Sequence, residues 1–408
     1  MRRAFVIVGG GLAGATAAIT LREAGPAGTV TLIGAEPEAP YERPPLSKAY
    51  LRGQAPFATA LVRIPTFYAE HGITTVLGTP VSQIDTASRF VELSDGRRLP
   101  FDALLLATGT RNRQLAVAGA SLDGIHYLRT VEDADRIRAE VSPGRRAVVV
   151  GMGFIGSEVA ASLRQSGVDV TTIDPSKSPL HRVLGEPVGR RIAELHRVHG
   201  VRTVFEDAVD AFEGHRRVEA VVTKAGHRFE CDFVVAGIGV DPAIECLRGT
   251  GIYTDNGIAV DEYCQTNIEG IYAAGDVANH WHPVFNRRIR VEHWQNAMRQ
   301  GAAAALNMLG RSVAYDDIPW FWSDQYDWNL QYAGFHTDWQ QLVVRGEPER
   351  ANFLACYIND GRIDAAIAVN RGGDLRRVIP LIKARQPVDP QLLADERISL
   401  QQILGSPA

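Results

Sequence analysis

A short apolar strand running into a glycine-rich turn occurs twice in this chain, and that repeat constrains the fold more than any single segment. Ala4-Phe5-Val6-Ile7-Val8 meets Gly9-Gly10-Gly11-Leu12-Ala13-Gly14. The alanine- and leucine-rich run from Ala15 to Ala24 then predicts a helix, Gly25 ends it, and Thr29 to Ile33 predicts the next strand. About 140 residues further on, Arg146 to Val150 meets Gly151-Met152-Gly153-Phe154-Ile155-Gly156. A predicted helix from Ser157 to Gln165, a break at Gly167 and a strand from Val168 to Ile173 follow. Continuous apolar runs of this length mark buried parallel strands. The G-x-G-x-x-G pattern counts as a dinucleotide turn only in this strand–turn–helix setting. Its glycines close the turn, bring backbone N–H groups to a pyrophosphate and let helix pack on strand, while the helix N-terminus favours the phosphate charge. A single-site dehydrogenase needs one such turn; two imply two dinucleotides, with hydride passing between them.

The order of the remaining segments suggests how the domains are arranged. Phe101 to Gly109 is an apolar strand ending in small residues between the two copies, and Gly270 to Asp276 is a similar one well after the second. Small residues at a strand end allow a ligand close to the backbone. The second dinucleotide domain (114–242) is therefore expected as an insertion into the first (1–113 and 243–318). From about Trp320 the chain changes character. Alternating, aromatic-rich segments such as Phe353 to Ile358 and Ile363 to Val369 predict an antiparallel sheet, and Asp389 to Ala408 one or two short helices, as a domain over 319–408. The expected fold class is α/β: two Rossmann-like domains plus a C-terminal α+β domain.

Composition narrows the function classes. A length of 408 residues suits two or three domains. A net charge of -4 gives no sign of a nucleic-acid binder. Cys231, Cys246, Cys264 and Cys356 are scattered without a C-x-x-C pair, which argues against a disulfide framework, a zinc site or a dithiol centre, and for a cytoplasmic home. Arg2-Arg3, an apolar run and Ala15-Thr16-Ala17 imitate a secretory signal, but Gly9, Gly10, Gly11 and Gly14 fit a phosphate turn better. No apolar stretch reaches the roughly 18 residues of a membrane helix.

Asp174, at the end of the strand from Val168, has the position of an acid that accepts hydrogen bonds from both ribose hydroxyls and repels a 2′-phosphate, so NADH is expected over NADPH. Lys177 and Arg182 follow closely. Glu36 is the corresponding acid after the first turn. Glu36 also has a plainer reading, as do two further acids, Asp276 and Glu158. Glu36 suits a solvated loop, Asp276 a turn after glycine, and Glu158 a helix N-terminus.

Arg43-Pro44-Pro45-Leu46-Ser47-Lys48, Ala107-Thr108-Gly109, Gly275-Asp276-Val277 and Trp320-Phe321-Trp322-Ser323-Asp324-Gln325 occur in that order. Together they resemble the NADH-dependent ferredoxin reductases that feed Rieske dioxygenases and bacterial cytochrome monooxygenases, within the glutathione-reductase-like superfamily. The resemblance spans essentially the whole chain. It implies FAD at the first turn, held by Gly9, Gly11, Leu12, Ala13, Gly14, Glu36, Arg43, Pro44, Lys48, Val81, Ala107, Thr108, Gly109 and Arg129. Gly275, Asp276 on the ribityl chain, Val277, Glu292, His293, Trp294, Ala297 and Trp322 complete that set. NADH is implied at Gly151, Gly153, Phe154, Ile155, Gly156, Glu158, Asp174, Arg182, Gly237, Ile238 and Gly239. The resemblance further implies that Glu158 and Lys48 pair across the domain boundary as the catalytic residues, placing the nicotinamide beside the flavin.

The segment Arg43 to Leu51, where disulfide reductases of that superfamily carry redox cysteines, contains no sulfur. Electrons must then leave to oxygen, to a small molecule or to a protein carrier. The aromatic segment, with Trp294, favours a carrier such as a one-electron 2Fe-2S ferredoxin serving a terminal oxygenase. Arg287, Arg288, Arg290, Arg371, Arg376 and Arg377 are candidates for a basic rim that steers it. The rival readings are an NADH oxidase or small-molecule reductase and, from another class, a flavoprotein redox sensor.

Overall fold

The computed structural model describes residues 3–25 and 28–405. Arg2 of the signal-like pattern and the last three residues of the predicted C-terminal tail lie outside them. The chain divides into two compact units. One takes the residues up to Glu42, Phe57–Arg111 and Asp241–Phe321; the other takes Arg43–Pro56, Asn112–Val240 and the residues from Trp322 onward.

The first unit is built on a five-stranded sheet in the order Ile271–Ala273, Ala103–Leu106, Arg3–Val8, Gly28–Ile33, Ile73–Val76. All its pairings are parallel. A parallel sheet must be covered on both faces. Helices Leu12–Glu23 and Trp294–Met308 pack one face through alanines (Ala17, Ala18, Ala303, Ala304, Ala305). The other face, with Val6, Val8 and Leu104, packs on an antiparallel meander of Val81–Asp85, Phe90–Leu93 and Arg98–Pro100.

The second unit repeats this plan. Its parallel sheet runs Arg202–Phe205, Asp169–Asp174, Arg146–Val150, Phe233–Ala236, Ile125–Tyr127. A meander of Val209–Gly214, Val218–Thr223 and Arg228–Glu230 again covers one face. The repeats differ in one respect. The edge strand Ile271–Ala273 follows the rest of its sheet in sequence, whereas Ile125–Tyr127 precedes its own.

The expected C-terminal antiparallel sheet is ordered Trp320–Gln325, Trp328–Gly334, Arg362–Val369, Asn352–Asn359, Gln341–Glu347, and from Trp322 onward it belongs to the second unit. Helices Gly372–Ala384, Pro390–Ala394 and Leu400–Gly405 follow it. The fold class read from sequence is thus the one observed. No helix among the described residues is long and apolar enough to cross a membrane.

Each unit buries a histidine almost completely, His280 (1% exposed) in the first and His196 (0%) in the second. Burial pushes His280 down to about 3 and His196 down to about 4, from an ordinary 6.5. The folded-state values are depressed, so the unfolded chain binds the extra protons. The associated stability is fully present above pH 6.5 and is lost as pH falls toward those values, by up to about 1.4 kcal/mol per pH unit for each histidine. Urea midpoints should therefore fall between pH 7.5 and pH 5. A midpoint that is flat across that range would show that these rings do not fold as neutral groups.

Candidate functional site

In the first unit, strand Arg3–Val8 ends at Gly9, and helix Leu12–Glu23 begins inside the glycine motif, earlier than the Ala15 expected from composition. Gly11 is its N-cap, extended and without a side-chain hydrogen bond. An uncapped helix start leaves first-turn N–H groups for a ligand, and the helix dipole favours an anion there. A Cβ on Gly14 would lie 2.0 Å from the Gly9 carbonyl oxygen, so only glycine lets helix and turn close together. A Cβ on Gly11 would meet nothing within 4 Å. The fold does not require glycine there, and the open space suits a closely lying pyrophosphate.

Other predicted residues gather at this edge of the first sheet. A Cβ on Gly9 would lie 2.0 Å from the Ala107 carbonyl oxygen, and one on Gly275 3.0 Å from Ala13 Cβ and 3.8 Å from that of Ala297. Thr108 Oγ1 donates to the Ala243 carbonyl at 2.6 Å, and Thr110 Oγ1 lies 3.5 Å from Asp276 Oδ2. Val277 is buried, and Val81 packs with it in the core beneath. His293 caps helix Trp294–Met308, its ring centroid 4.2 Å from that of Phe321. Burial pushes His293 down to about 4, against the pull of Asp276. Burial raises the Glu42 carboxyl, opposed by a hydrogen bond with Trp294. Glu36 is half-buried and accepts from the Tyr41 hydroxyl, while Glu292 pairs with Arg290 at 2.7 Å.

The turn in the second unit matches glycine for glycine. Gly153 is the uncapped N-cap of helix Phe154–Gln165. A Cβ on Gly156 would lie 1.9 Å from the Gly151 carbonyl oxygen, one on Gly151 2.4 Å from that of Gly237, and one on Gly153 would meet nothing within 4 Å. Phe154 and the 47%-exposed Ile155 open the helix. Ile238 lies half-buried beside the turn, and the Gly239 carbonyl accepts from Arg113 N–H at 3.0 Å. Arg182 is exposed on helix His181–Val198. Asp174 does more than its sequence position indicated. One carboxylate oxygen accepts from Met152 N–H at 2.6 Å and the other from Ser176 N–H at 2.7 Å, tying strand end to turn. A carboxylate retains lone pairs for a hydroxyl beyond these two bonds.

Glu158, 3% exposed, anchors a polar cluster on the N-terminal part of that helix. Lys48 Nζ donates to Oε2 at 2.6 Å, Ser47 Oγ also donates to Oε2, and Ser323 Oγ donates to Oε1 at 2.7 Å. The expected Lys48–Glu158 pair is made, and it lies inside one compact unit, because Arg43–Pro56 belongs with Glu158. Ser162 Oγ donates to the Ser47 carbonyl at 2.7 Å and fixes the loop. A buried charge paired and hydrogen-bonded in this way is tolerated. Sequence reading missed Ser47 and Ser323, although both sit inside motifs it singled out. At 111 and 165 residues from Glu158, no local periodicity connects them.

Arg43, whose guanidinium donates to the Arg129 carbonyl, lies in the second unit with Pro44, Lys48, Arg129 and Trp322. The other residues expected at FAD lie in the first. Of the proposed basic rim, Arg290 pairs with Glu292, Arg371 with Asp374 at 2.8 Å and Glu396 at 2.6 Å, and Arg377 with Asp374 at 3.2 Å, while Arg288 donates to the Val260 and Asn279 carbonyls; Arg287, Arg288, Arg376 and Arg377 are exposed. All four cysteines are free, and burial pushes the Cys231 and Cys356 thiols up to about 12 and Cys246 up to about 11.

Two uncapped glycine turns at the C-terminal edges of two parallel sheets define an oxidoreductase of the two-dinucleotide class. The chain belongs to the pyridine nucleotide-disulphide oxidoreductase family, whose pattern matches residues 3–301, and residues 320–404 match the reductase C-terminal family. It is 43% identical to the ferredoxin--NAD(+) reductase component of the anthranilate 1,2-dioxygenase system of Burkholderia cepacia, over 98% of this chain and 99% of that protein. It is 38% identical to putidaredoxin reductase of Pseudomonas putida, over 98% and 96%. The reductase in a crystal structure of a covalent putidaredoxin reductase–putidaredoxin complex superposes with a TM-score of 0.96 at 38% identity, covering 99% of this chain and 98% of that one.

The two kinds of glycine separate experimentally. Gly156→Ala forces a methyl onto a backbone carbonyl and should lower stability by about 2 kcal/mol or more, whereas Gly153→Ala should change it by less than about 1 kcal/mol. Chemical denaturation of both variants decides this. Equal stabilities would contradict the packing role of Gly156.

Proposed function

We propose that this chain is an NADH-dependent flavoprotein that passes electrons from NADH through FAD to a 2Fe-2S ferredoxin, which supplies an oxygenase. The observation that carries this reading is the coexistence of two uncapped glycine turns with a buried Lys48–Glu158 pair and no cysteine from Arg43 to Leu51. FAD is assigned to residues 1–113 and 243–318, NADH to 114–242, and a C-terminal domain to 319–408. Bound FAD supplies the conversion from two-electron to single-electron transfer. The first-turn N–H groups hold its pyrophosphate, Glu36 the adenosine ribose and Asp276 the ribityl chain.

At the second turn, Asp174 accepts from the NADH ribose hydroxyls and excludes a 2′-phosphate by charge and by its fixed position. Glu158 accepts from the nicotinamide carboxamide, and Lys48 balances its charge. Holding the ring in one orientation supplies much of the rate of hydride transfer. With each thiol buried or poorly ionised, sulfur is not the exit for electrons, and the carrier is the exit assigned in this reading. The exposed Arg287, Arg288, Arg376 and Arg377 put positive charge at the surface, where it would steer an acidic carrier. The four free thiols support a cytoplasmic location.

Anaerobic stopped-flow tests the sequence of steps. NADH should bleach the flavin rapidly, and an added 2Fe-2S ferredoxin should then be reduced fast. Slow ferredoxin reduction with fast reoxidation by oxygen would turn the reading to an oxidase. Glu158→Gln should slow flavin reduction about tenfold or more with FAD still bound, and unchanged kinetics would remove the role given to Glu158. Asp174→Ala should lower the kcat/KM preference for NADH over NADPH at least about tenfold. A preserved ratio would count against Asp174 as the discriminating group.

A further inference from the structure

The Glu158 carboxylate continues into a line of buried hydrogen bonds that the dinucleotide reading leaves unused. Ser323 Oγ, the donor to Glu158 Oε1 at 2.7 Å, lies 3.3 Å from Gln325 Nε2. Gln325 Oε1 lies 3.2 Å from His196 Nε2, and His196 Nδ1 lies 3.4 Å from the Tyr326 hydroxyl. Ser323, Gln325 and His196 are each completely buried, and all five residues belong to the second unit. Alternation along strand Trp320–Gln325 puts 323 and 325 on one face. His196 lies on the buried stripe of helix His181–Val198 with Ile192 and Leu195.

The charged end dictates the direction of every bond. An ionised carboxylate only accepts, so the Ser323 hydroxyl donates to Glu158 and accepts from Gln325. Gln325 must then turn its NH2 toward Ser323 and its carbonyl toward His196. His196 must carry its proton on Nε2, which leaves Nδ1 to accept from Tyr326. Donors aligned in one direction polarise one another. Burial favours the neutral ring that this pattern requires. Tyr326 sits in a left-handed backbone (φ 55°) in the tight link between strands Trp320–Gln325 and Trp328–Gly334, a position that glycine or asparagine fills with less strain. Its ring stacks on His199 with centroids 3.7 Å apart, so the outer end of the line is held as well.

We infer that Ser323, Gln325 and His196 are positioning residues that hold Glu158 in one rotamer and one hydrogen-bonding state for the nicotinamide. Lys48 and Ser47 both grip Oε2, so the second oxygen is fixed only through this line among the described residues. The inference rests on the role given to Glu158 above.

Three holoenzyme variants and one measurement on the wild-type protein test it. His196→Phe should slow flavin reduction at saturating NADH about tenfold, with the dissociation constant for NADH changed no more than about twofold. His196→Gln, whose amide keeps a donor facing Gln325, should recover most of that rate. A wild-type rate in folded His196→Phe, beside a slow Glu158→Gln, would overturn the inference alone. Wild-type rates in both would bring down the role of Glu158 and the inference with it, so the two failures are distinguishable. If His196→Phe does not fold, nitrogen-15 NMR of the wild-type imidazoles decides. A proton on Nε2 at neutral pH supports the line as drawn, and a proton on Nδ1 or a charged ring overturns it.

Discussion

Both glycine turns depend on a helix backbone coming within touching distance of the turn before it. Gly14 meets the Gly9 carbonyl, and Gly156 meets that of Gly151, at separations no side chain survives. That contact aims each uncapped helix N-terminus over the carboxyl edge of its parallel sheet, the edge where open α/β sheets bind ligands. The neighbouring groups come to the same edge because they end neighbouring strands. Ala107–Gly109 follows Ala103–Leu106 and Gly275 follows Ile271–Ala273 in one unit; Asp174 ends its strand and Gly237 follows Phe233–Ala236 in the other. By accepting from Met152 N–H, Asp174 also makes the shape of its turn depend on the group that would read the ribose.

The repeated plan is completed in two different ways, with consequences for folding. The second parallel sheet draws its strands from 125–236, a continuous stretch of chain. The first needs Ile271–Ala273, which arrives only after the intervening residues, to pair with Ala103–Leu106. Non-local parallel pairing carries a loop-closure cost before its contacts are made. The first sheet is therefore the one whose completion waits on the rest of the chain.

The sequence shows the frame of this molecule more readily than its joints. The two glycine motifs, their strands and the aromatic C-terminal sheet were legible because each is a local pattern with a fixed period or spacing. Helix starts were placed three residues late, at Ala15 and Ser157 instead of Leu12 and Phe154, because the helix begins within the glycines and not at the first good helix former. The two meanders went unread. Their strands are short and half-exposed, such as Val81–Asp85 and Arg98–Pro100, and alternate too briefly to stand out. The Lys48–Glu158 pair was expected only through resemblance, since 110 residues separate its members. Ser323, Gln325 and His196 were beyond reach, because a hydrogen-bond chain through a folded interior leaves no periodic trace.

That chain bears on why a charge is buried at Glu158 at all. Desolvating a carboxylate and an ammonium costs several kcal/mol per ion, and a well-packed apolar pair of the same volume is often as stable or more so. Stability is therefore a poor reason to keep Lys48 and Glu158 where they are. The surroundings point the same way, because two serines, a glutamine and a histidine have been drawn out of water to complete one carboxylate's bonding. Each of these would be costly to leave unsatisfied, and together they confine Glu158 to a single orientation. A structural ion pair at this depth would also need good geometry and satisfied lone pairs, which Lys48, Ser47 and Ser323 alone supply. The role proposed for Glu158, an acceptor presented to the nicotinamide at one angle, would draw on the same confinement, which the hydrogen bonds supply from both oxygens.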